Sequence, residues 1–243
     1  MIYGTKRLKV MSLIIAVHVP TGIALSGDSR TTGTTSQQVA DPRNSACQIT
    51  VQTSIVLSEA AEKIFLADGR FGIGTFGDAL VNNMPIAHYV GQFLSQPGRT
   101  TATSTQKLAD DVLRYFRALQ PAPRVGLLVI GYDANDPLVI GVDVENNVVK
   151  RHNIDPQNQL TYGIVRGGDT AIVDRLLSQP QFNPPFQVMN LQDAVDYSRH
   201  LIRSTIDQMR FEPRFPTVGG FIDTMVVTTA GARFLAHKML TGS

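Results

Sequence analysis

Apolar and polar positions along this chain change their spacing at definite points, and each change marks an element. Apolar runs over residues 12–18 and 22–27 flank Pro20-Thr21-Gly22, so the pattern predicts a β-hairpin with a tight turn. Residues 33–47, rich in Gly, Thr, Ser, Gln and Asn, read as a loop, and residues 49–57 as one extra strand. Residues 63–66 and 71–76 read as short strands joined at Asp68-Gly69. Gly77 ends the second and opens a helix to about Gln96, kinked at Pro85. Leu108, Val112, Tyr115, Phe116 and Leu119 share one stripe of a helix over 103–119. Residues 124–132 form a buried strand, 138–144 and 148–152 a hairpin, and 160–165 another strand. A third helix covers 168–179, and three prolines make 180–187 a connector. Leu191, Val195, Ile202, Ile206 and Met209 mark a fourth helix, and 221–229 with 233–238 form a closing hairpin.

The order is strands, two helices, strands, two helices, strands. Helices that come in pairs do not fit a doubly wound parallel sheet, in which strands and helices alternate singly. The expected class is α+β, with two stacked and mainly antiparallel sheets lying between helix pairs.

Composition narrows the function classes without choosing one. At 243 residues and 43% hydrophobic, the chain can bury one sizeable core. A formal charge of +2 leaves no electrostatic footprint for nucleic acid. No apolar stretch is long enough to span a membrane. The single cysteine, Cys47, excludes an intrachain disulfide and multi-cysteine zinc sites. The five histidines (His18, His88, His152, His200 and His237) lack metal-ligand spacing, so neither metal nor organic cofactor is expected.

The first residues carry Lys6, Arg7 and Lys9 ahead of an apolar run. That run fits a secretory signal cut near Ala24-Leu25-Ser26, but His18 and Pro20 interrupt its centre. Alternatively, Met11 is the translation start, or residues 1–11 are a removed propeptide. Either of these routes leaves Ser12 first, with a hydroxyl and a free amine on one residue.

A hydroxyl is a weak nucleophile and needs a base beside it. A free α-amine, with a pKa of ~7.7–8.0, supplies one near neutral pH. An ammonium on Lys63 would keep that amine unprotonated, and Asp28 is the charge partner that a buried lysine needs. Lys63 is the only lysine between Asp28 and Gly77, among six in the chain. A backbone N–H at Gly77 suits the oxyanion of a tetrahedral intermediate. Taken singly, Asp28 and Arg30 also fit a surface-turn ion pair, Lys63 an edge-strand lysine, and Gly77 an ordinary turn.

Taken together, these residues carry a resemblance. Asp28-Ser29-Arg30 begins 16 residues after Ser12, Lys63-Ile64-Phe65 opens a strand, and Gly74-Thr75-Phe76-Gly77 ends 14 residues beyond Lys63. This pattern resembles the proteasome β-subunit family, which includes the bacterial HslV peptidase and the Anbu and BPH-type homologues. Gly219-Gly220-Phe221-Ile222-Asp223 ahead of an apolar strand looks like Anbu especially. The resemblance spans residues 12–238 and implies the N-terminal nucleophile hydrolase fold, a four-layer αββα sandwich.

It further implies peptide-bond hydrolysis through an acyl-enzyme on Ser12. Its own amine is then the base, Lys63 tunes that amine, Asp28 orients Lys63, and Gly77 holds the oxyanion. Arg30 supports the turn, and Gly74, Thr75 and Phe76 line a substrate pocket. The implied setting is a cytoplasmic subunit that self-associates into stacked rings. Its substrates are peptides or unfolded proteins, and its partner is an AAA+ ATPase unfoldase. Two alternatives stay open: a catalytically silent ring subunit, and a small-amide hydrolase on the same fold outside any ring.

The departures are equally specific. Asp28 and Lys63 lie about twice as far apart as is usual in the family, so residues 33–57 must be an inserted loop or hairpin. The family's helper Ser, in a Gly-Ser-Gly turn, has no clear counterpart in Gly163-Ile164-Val165-Arg166-Gly167-Gly168. The helper Asp and Ser before the late Gly-Gly have none in Phe215-Pro216-Thr217-Val218, where Thr217 is the substitute on offer.

Overall fold

The computed structural model describes residues 12–238, so the leader, residues 1–11, lies outside the described part. The elements run β1 Leu13–Val19, β2 Gly22–Asp28, β3 Thr31–Asp41, β4 Asn44–Ser58, β5 Ile64–Ala67, β6 Phe71–Gly77, β7 Leu80–Val81 and β8 Met84–Pro85. Then follow α1 Ile86–Leu94, α2 Thr105–Ala118, β9 Val125–Asp133, β10 Asp136–Asp143, β11 Val148–Arg151 and β12 Gly163–Gly168. The last are α3 Ala171–Leu176, α4 Leu191–Met209, β13 Ile222–Thr228 and β14 Gly231–Ala236.

Two five-stranded sheets form the body, in the orders β12-β1-β2-β13-β14 and β11-β10-β9-β6-β5. Every neighbouring pair is antiparallel. Residues in β1 and β2 are buried on both faces, which is why their sequence reads as continuous apolar runs. One face of β1 contributes Leu13, Ile15 and Val17 to a core shared with Ile172, Ile202 and other residues of α3 and α4. Its other face contributes Ile14 and Ala16 to a second core, with Leu128 and Ile130 of β9 and Met225 of β13. Phe71, Leu127 and Ile140 of the second sheet share a third core with Val90, Leu108 and Phe116 of α1 and α2.

Two expectations need correction. Residues 33–47 are not a loop: β3 and β4 form one long two-stranded ribbon, with Thr31 paired to Ser58 and Asp41 to Asn44. Its threonines are β-branched, and they face Ser58, Val56, Ser54 and Thr53 across the ribbon, with Val39 opposite Ile49. At the tip, the Arg43 N–H donates to Asp41 Oδ1 at 2.8 Å, closing a side-chain turn. The second correction is the helix expected from Gly77, which begins only at Ile86. Asn82 and Asn83 are both left-handed, with φ of 49° and 63°, and turn β7 back onto β8. Pro85 is the N-cap residue rather than an interior kink, since it excludes a helical conformation for the residue before it.

His18 in β1 is 3% exposed. Its Nε2–H donates to the Thr161 carbonyl at 2.6 Å, and Nδ1 is buried without a hydrogen-bond partner. Burial lowers its pKa to about 4. The folded chain therefore resists a proton that the unfolded chain accepts near pH 6.5. Stability is full above pH ~6.5 and falls as pH drops toward 4, by about 3 kcal/mol from this group. His18→Gln keeps a donor for Thr161 and has no such titration. Urea melts should show the wild type losing stability relative to His18→Gln across that window.

Candidate active site

Ser12, the first described residue, precedes β1 and is 4% exposed. Its carbonyl accepts the Asp169 N–H at 2.7 Å. Gly168 makes that approach feasible: its φ is +97°, and a Cβ there would lie 1.7 Å from the Ser12 carbonyl oxygen. The end of β12 is thus moulded to the backbone of Ser12.

Asp28 ends β2 and is 1% exposed. Its Oδ1 accepts the Leu13 N–H at 2.9 Å and the Lys63 ammonium at 2.8 Å. Its Oδ2 accepts the Gly219 N–H at 3.0 Å and the Arg30 N–H at 3.1 Å. Lys63 also donates to the Arg30 carbonyl at 2.5 Å and is 4% exposed. Burial pulls the Lys63 ammonium below the usual lysine range, against the opposing attraction of Asp28.

Arg30 stands behind this pair. Its guanidinium meets Glu59 at 2.8 Å and donates to the Pro216 carbonyl at 3.0 Å. It lies against Gly219, where a Cβ would be 2.4 Å from Arg30 Cζ. The Gly219 carbonyl in turn accepts the N–H groups of Ser29 and Arg30. The late Gly-Gly therefore latches the aspartate turn.

Ser12, Lys63, Thr75, Phe76 and Gly77 line one cavity of about 380 Å³. Leu57, Ala79, Leu80 and Ile86 complete a largely apolar wall. Gly77 has φ +102°, and a Cβ there would meet the Arg124 carbonyl at 2.4 Å. The Thr75 N–H bonds the Lys63 carbonyl on the β5 side. Strand alternation then sends the Gly77 N–H to the same side, beyond the end of β5. Phe76 is seated on Gly126 and Gly167, one from each sheet, where a Cβ would lie 2.3 Å from its ring. Gly74 lies outside the cavity wall and faces Ile14 in the core between the sheets.

Thr217 does not line the cavity. Its hydroxyl donates to Asp169 Oδ2 at 2.6 Å, and Arg214 Nη1 donates to the same oxygen at 2.6 Å. Asp169, 2% exposed, was not singled out from sequence. The available signal was its place directly after Gly167-Gly168, one residue past the segment compared with the family's Gly-Ser-Gly turn. Among the described residues no group of three or more His, Cys, Asp or Glu side chains is arranged to hold a metal ion. None of the described helices is long and apolar enough to cross a membrane.

No family model and no curated protein sequence matches the chain. Among solved structures, it is similar to Anbu from Hyphomicrobium sp. strain MC1, with a TM-score of 0.58 and 15% identity. That match covers 92% of this chain and 87% of the other. At this identity the likeness is one of fold alone: helices packed on two stacked, antiparallel five-stranded sheets.

The Asp28–Lys63 pair yields an asymmetric stability prediction. Without Lys63, Asp28 keeps three backbone N–H donors. Without Asp28, Lys63 keeps only the Arg30 carbonyl among these partners, and its charge stays buried. Asp28→Asn should therefore cost about 3–5 kcal/mol, and Lys63→Met clearly less. The double variant should recover part of the Asp28→Asn loss, as read by denaturant melts in a double-mutant cycle.

Proposed function

We propose that the chain is a peptidase of the N-terminal nucleophile type, its helices and sheets forming the four-layer αββα sandwich. The observation that carries this reading is the single cavity shared by Ser12, Lys63 and Gly77, with the buried Asp28 carboxylate holding Lys63 from behind. The mature chain begins at Ser12. Ser12 Oγ attacks the substrate carbonyl and passes its proton to its own α-amine. The oxyanion that forms is held by the Gly77 N–H. The amine then returns the proton to the leaving nitrogen, the C–N bond breaks, and an ester remains on Ser12. Water, deprotonated by the same amine, attacks that ester and frees the hydroxyl.

Lys63 stays protonated beside Asp28, and its charge disfavours protonation of the amine. Asp169 is a positioning residue: its N–H fixes the Ser12 carbonyl, and Thr217 and Arg214 fix its carboxylate. Thr75 and Phe76 line the substrate pocket, whose apolar wall favours an apolar residue before the scissile bond. The subunit self-associates into closed rings whose sites face a chamber, as in the family it resembles.

The test is cleavage of a fluorogenic peptide with leucine before the reporter, paired with intact-mass measurement. The expected result is a mature chain starting at Ser12, with activity lost by at least 100-fold in Ser12→Ala and retained in part in Ser12→Thr. Activity unchanged in Ser12→Ala, or an active chain that retains residues before Ser12, overturns the mechanism. The split between kcat and KM adds a second readout. Thr217→Val should lower kcat with little change in KM, because Thr217 acts on Ser12 only through Asp169.

A further inference from the structure

β12, the strand moulded to Ser12, is an edge strand: it pairs with β1 and with no other strand among the described residues. Its free backbone groups follow from two bonds. The Leu13 N–H turns to Asp28 on β2, and the Ser12 carbonyl turns to the Asp169 N–H at the end of β12. Bonds alternate along an antiparallel ladder, and Leu13 stands opposite Gly168. Gly167 and Val165 therefore bond β1, whereas the N–H and C=O groups of Arg166 and Ile164 point out of the sheet. The Gly168 carbonyl, next in that outward series, accepts the Thr170 N–H at 3.1 Å. Nothing among the described residues takes the groups of Arg166 and Ile164.

This open edge borders a second cavity, of about 470 Å³, between the two sheets. Val165 and Gly167 of β12 line one side, and Gly126, Leu128 and Gly141 of the other sheet line the opposite side. Phe76 and Gly77 stand in the walls of both cavities, so the second begins where the catalytic one ends. A further hollow continues along the edge, past Ile164 and Arg166 to Thr170 and Asp174. Charge does not select the occupant. Arg124 and Arg166 are already ion-paired, with Asp78 and Asp174. The remaining charged groups of the second wall, Lys150 against Asp143 and Glu145, are of mixed sign. Recognition there falls to shape and to the open backbone groups.

We propose that the free edge of β12 receives the leaving-group side of the substrate as an added strand, so that the substrates are extended polypeptides rather than small amides. The inference rests on the proposed function, which puts the scissile bond between Ser12 Oγ and the Gly77 N–H, and extends it to the residues beyond that bond. The shared wall at Phe76 and Gly77 is what commits the edge to this occupant: a chain held at Ser12 passes directly from one cavity into the other. Residues after the scissile bond run away from Ser12, from the Gly168 end of β12 toward Gly163. The added strand is therefore antiparallel, and Arg166 and Ile164 each exchange two backbone bonds with it. Substrate side chains opposite Gly167 and Val165 turn inward into the second cavity, and the one opposite Arg166 turns outward toward Thr170 and Asp174. The six residues of β12 span roughly 20 Å, enough for about four substrate residues beyond the bond.

The experiment compares two fluorescein-labelled peptides that carry a CH2–NH link in place of the amide after leucine, so neither is cleaved. One ends just beyond the link, and the other continues for five uncharged residues. Binding to the purified protein is read by fluorescence anisotropy. The wild type should bind the longer peptide at least about 10-fold more tightly. Arg166→Pro removes one outward N–H and leaves the β1 ladder whole, so it should lose most of that gain. Arg166→Ala loses the ion pair with Asp174 but keeps the N–H, and should keep the gain. No gain in the wild type, whether the edge is empty or held by a second copy, overturns the proposal, as does a gain that Arg166→Pro keeps or Arg166→Ala loses. A gain without cleavage of the ordinary amide peptide overturns the peptidase reading and leaves the edge standing. If Arg166→Pro fails to fold, each of the five residues is N-methylated in turn and tested on the wild type. Loss of binding at every second position supports the added strand, and equal binding by all five overturns it.

Discussion

The Asp28 carboxylate is the contact on which the rest of the site depends. Its two oxygens take four donors: the N–H at the start of β1, the ammonium ahead of β5, and the backbone of Arg30 and Gly219. Those donors come from both sheets and from the segment that enters β13. A carboxylate stripped of water is tolerated only when its lone pairs are met, and here each oxygen is met twice. One buried charge thus fixes where Ser12 leaves β1, where Lys63 enters its sheet, and how the aspartate turn closes.

Close backbone approach is the second constraint. Gly168 lets the Ser12 carbonyl sit against β12, and Gly77 lets its strand end against Arg124. Gly126 and Gly167 make room for the ring of Phe76 between the two sheets. At Gly168 and Gly77 a Cβ would overlap backbone, and at Gly126 and Gly167 it would overlap the Phe76 ring that fills the space. The glycines therefore set the shape of the cavity, whereas Asp28 and Lys63 set its charge.

Much of this was legible in the sequence, for identifiable reasons. β1 and β2 are continuous apolar runs around a tight turn, and both the period and the turn are local signals. α2 was legible because its stripe extends over the whole helix. The spacing from Ser12 to Asp28 was legible because one hairpin of fixed length separates them. What escaped depends on distant partners. Thr31 to Asp41 reads as polar loop until it is paired with β4, since threonine and glutamine become strand residues through the strand opposite. Asp169 escaped because its importance lies in contacts to Ser12, Arg214 and Thr217, none of them near it in sequence. The missing helix turns between Gly77 and Pro85 are signalled by Pro85 itself, which bars a helical residue before it, and by the asparagines at 82 and 83, the residue type that tolerates a left-handed turn.

The ribbon also explains how a long segment can stand between two residues that touch. Asp28 and Lys63 lie 35 residues apart, yet their side chains meet at 2.8 Å. The entropic cost of loop closure grows only slowly with length, so the intervening residues cost the pair little entropy as long as their ends are held together. They are held: Thr31 pairs with Ser58 at the root, and Arg30 with Glu59 beside it. The same root reaches the chemistry, because Thr31, Leu57 and Ser58 are part of the cavity wall. The shape of the cavity beside Ser12 is therefore tied to the ribbon through a single strand, in which Leu57 is 45% exposed and stands in the cavity wall at once.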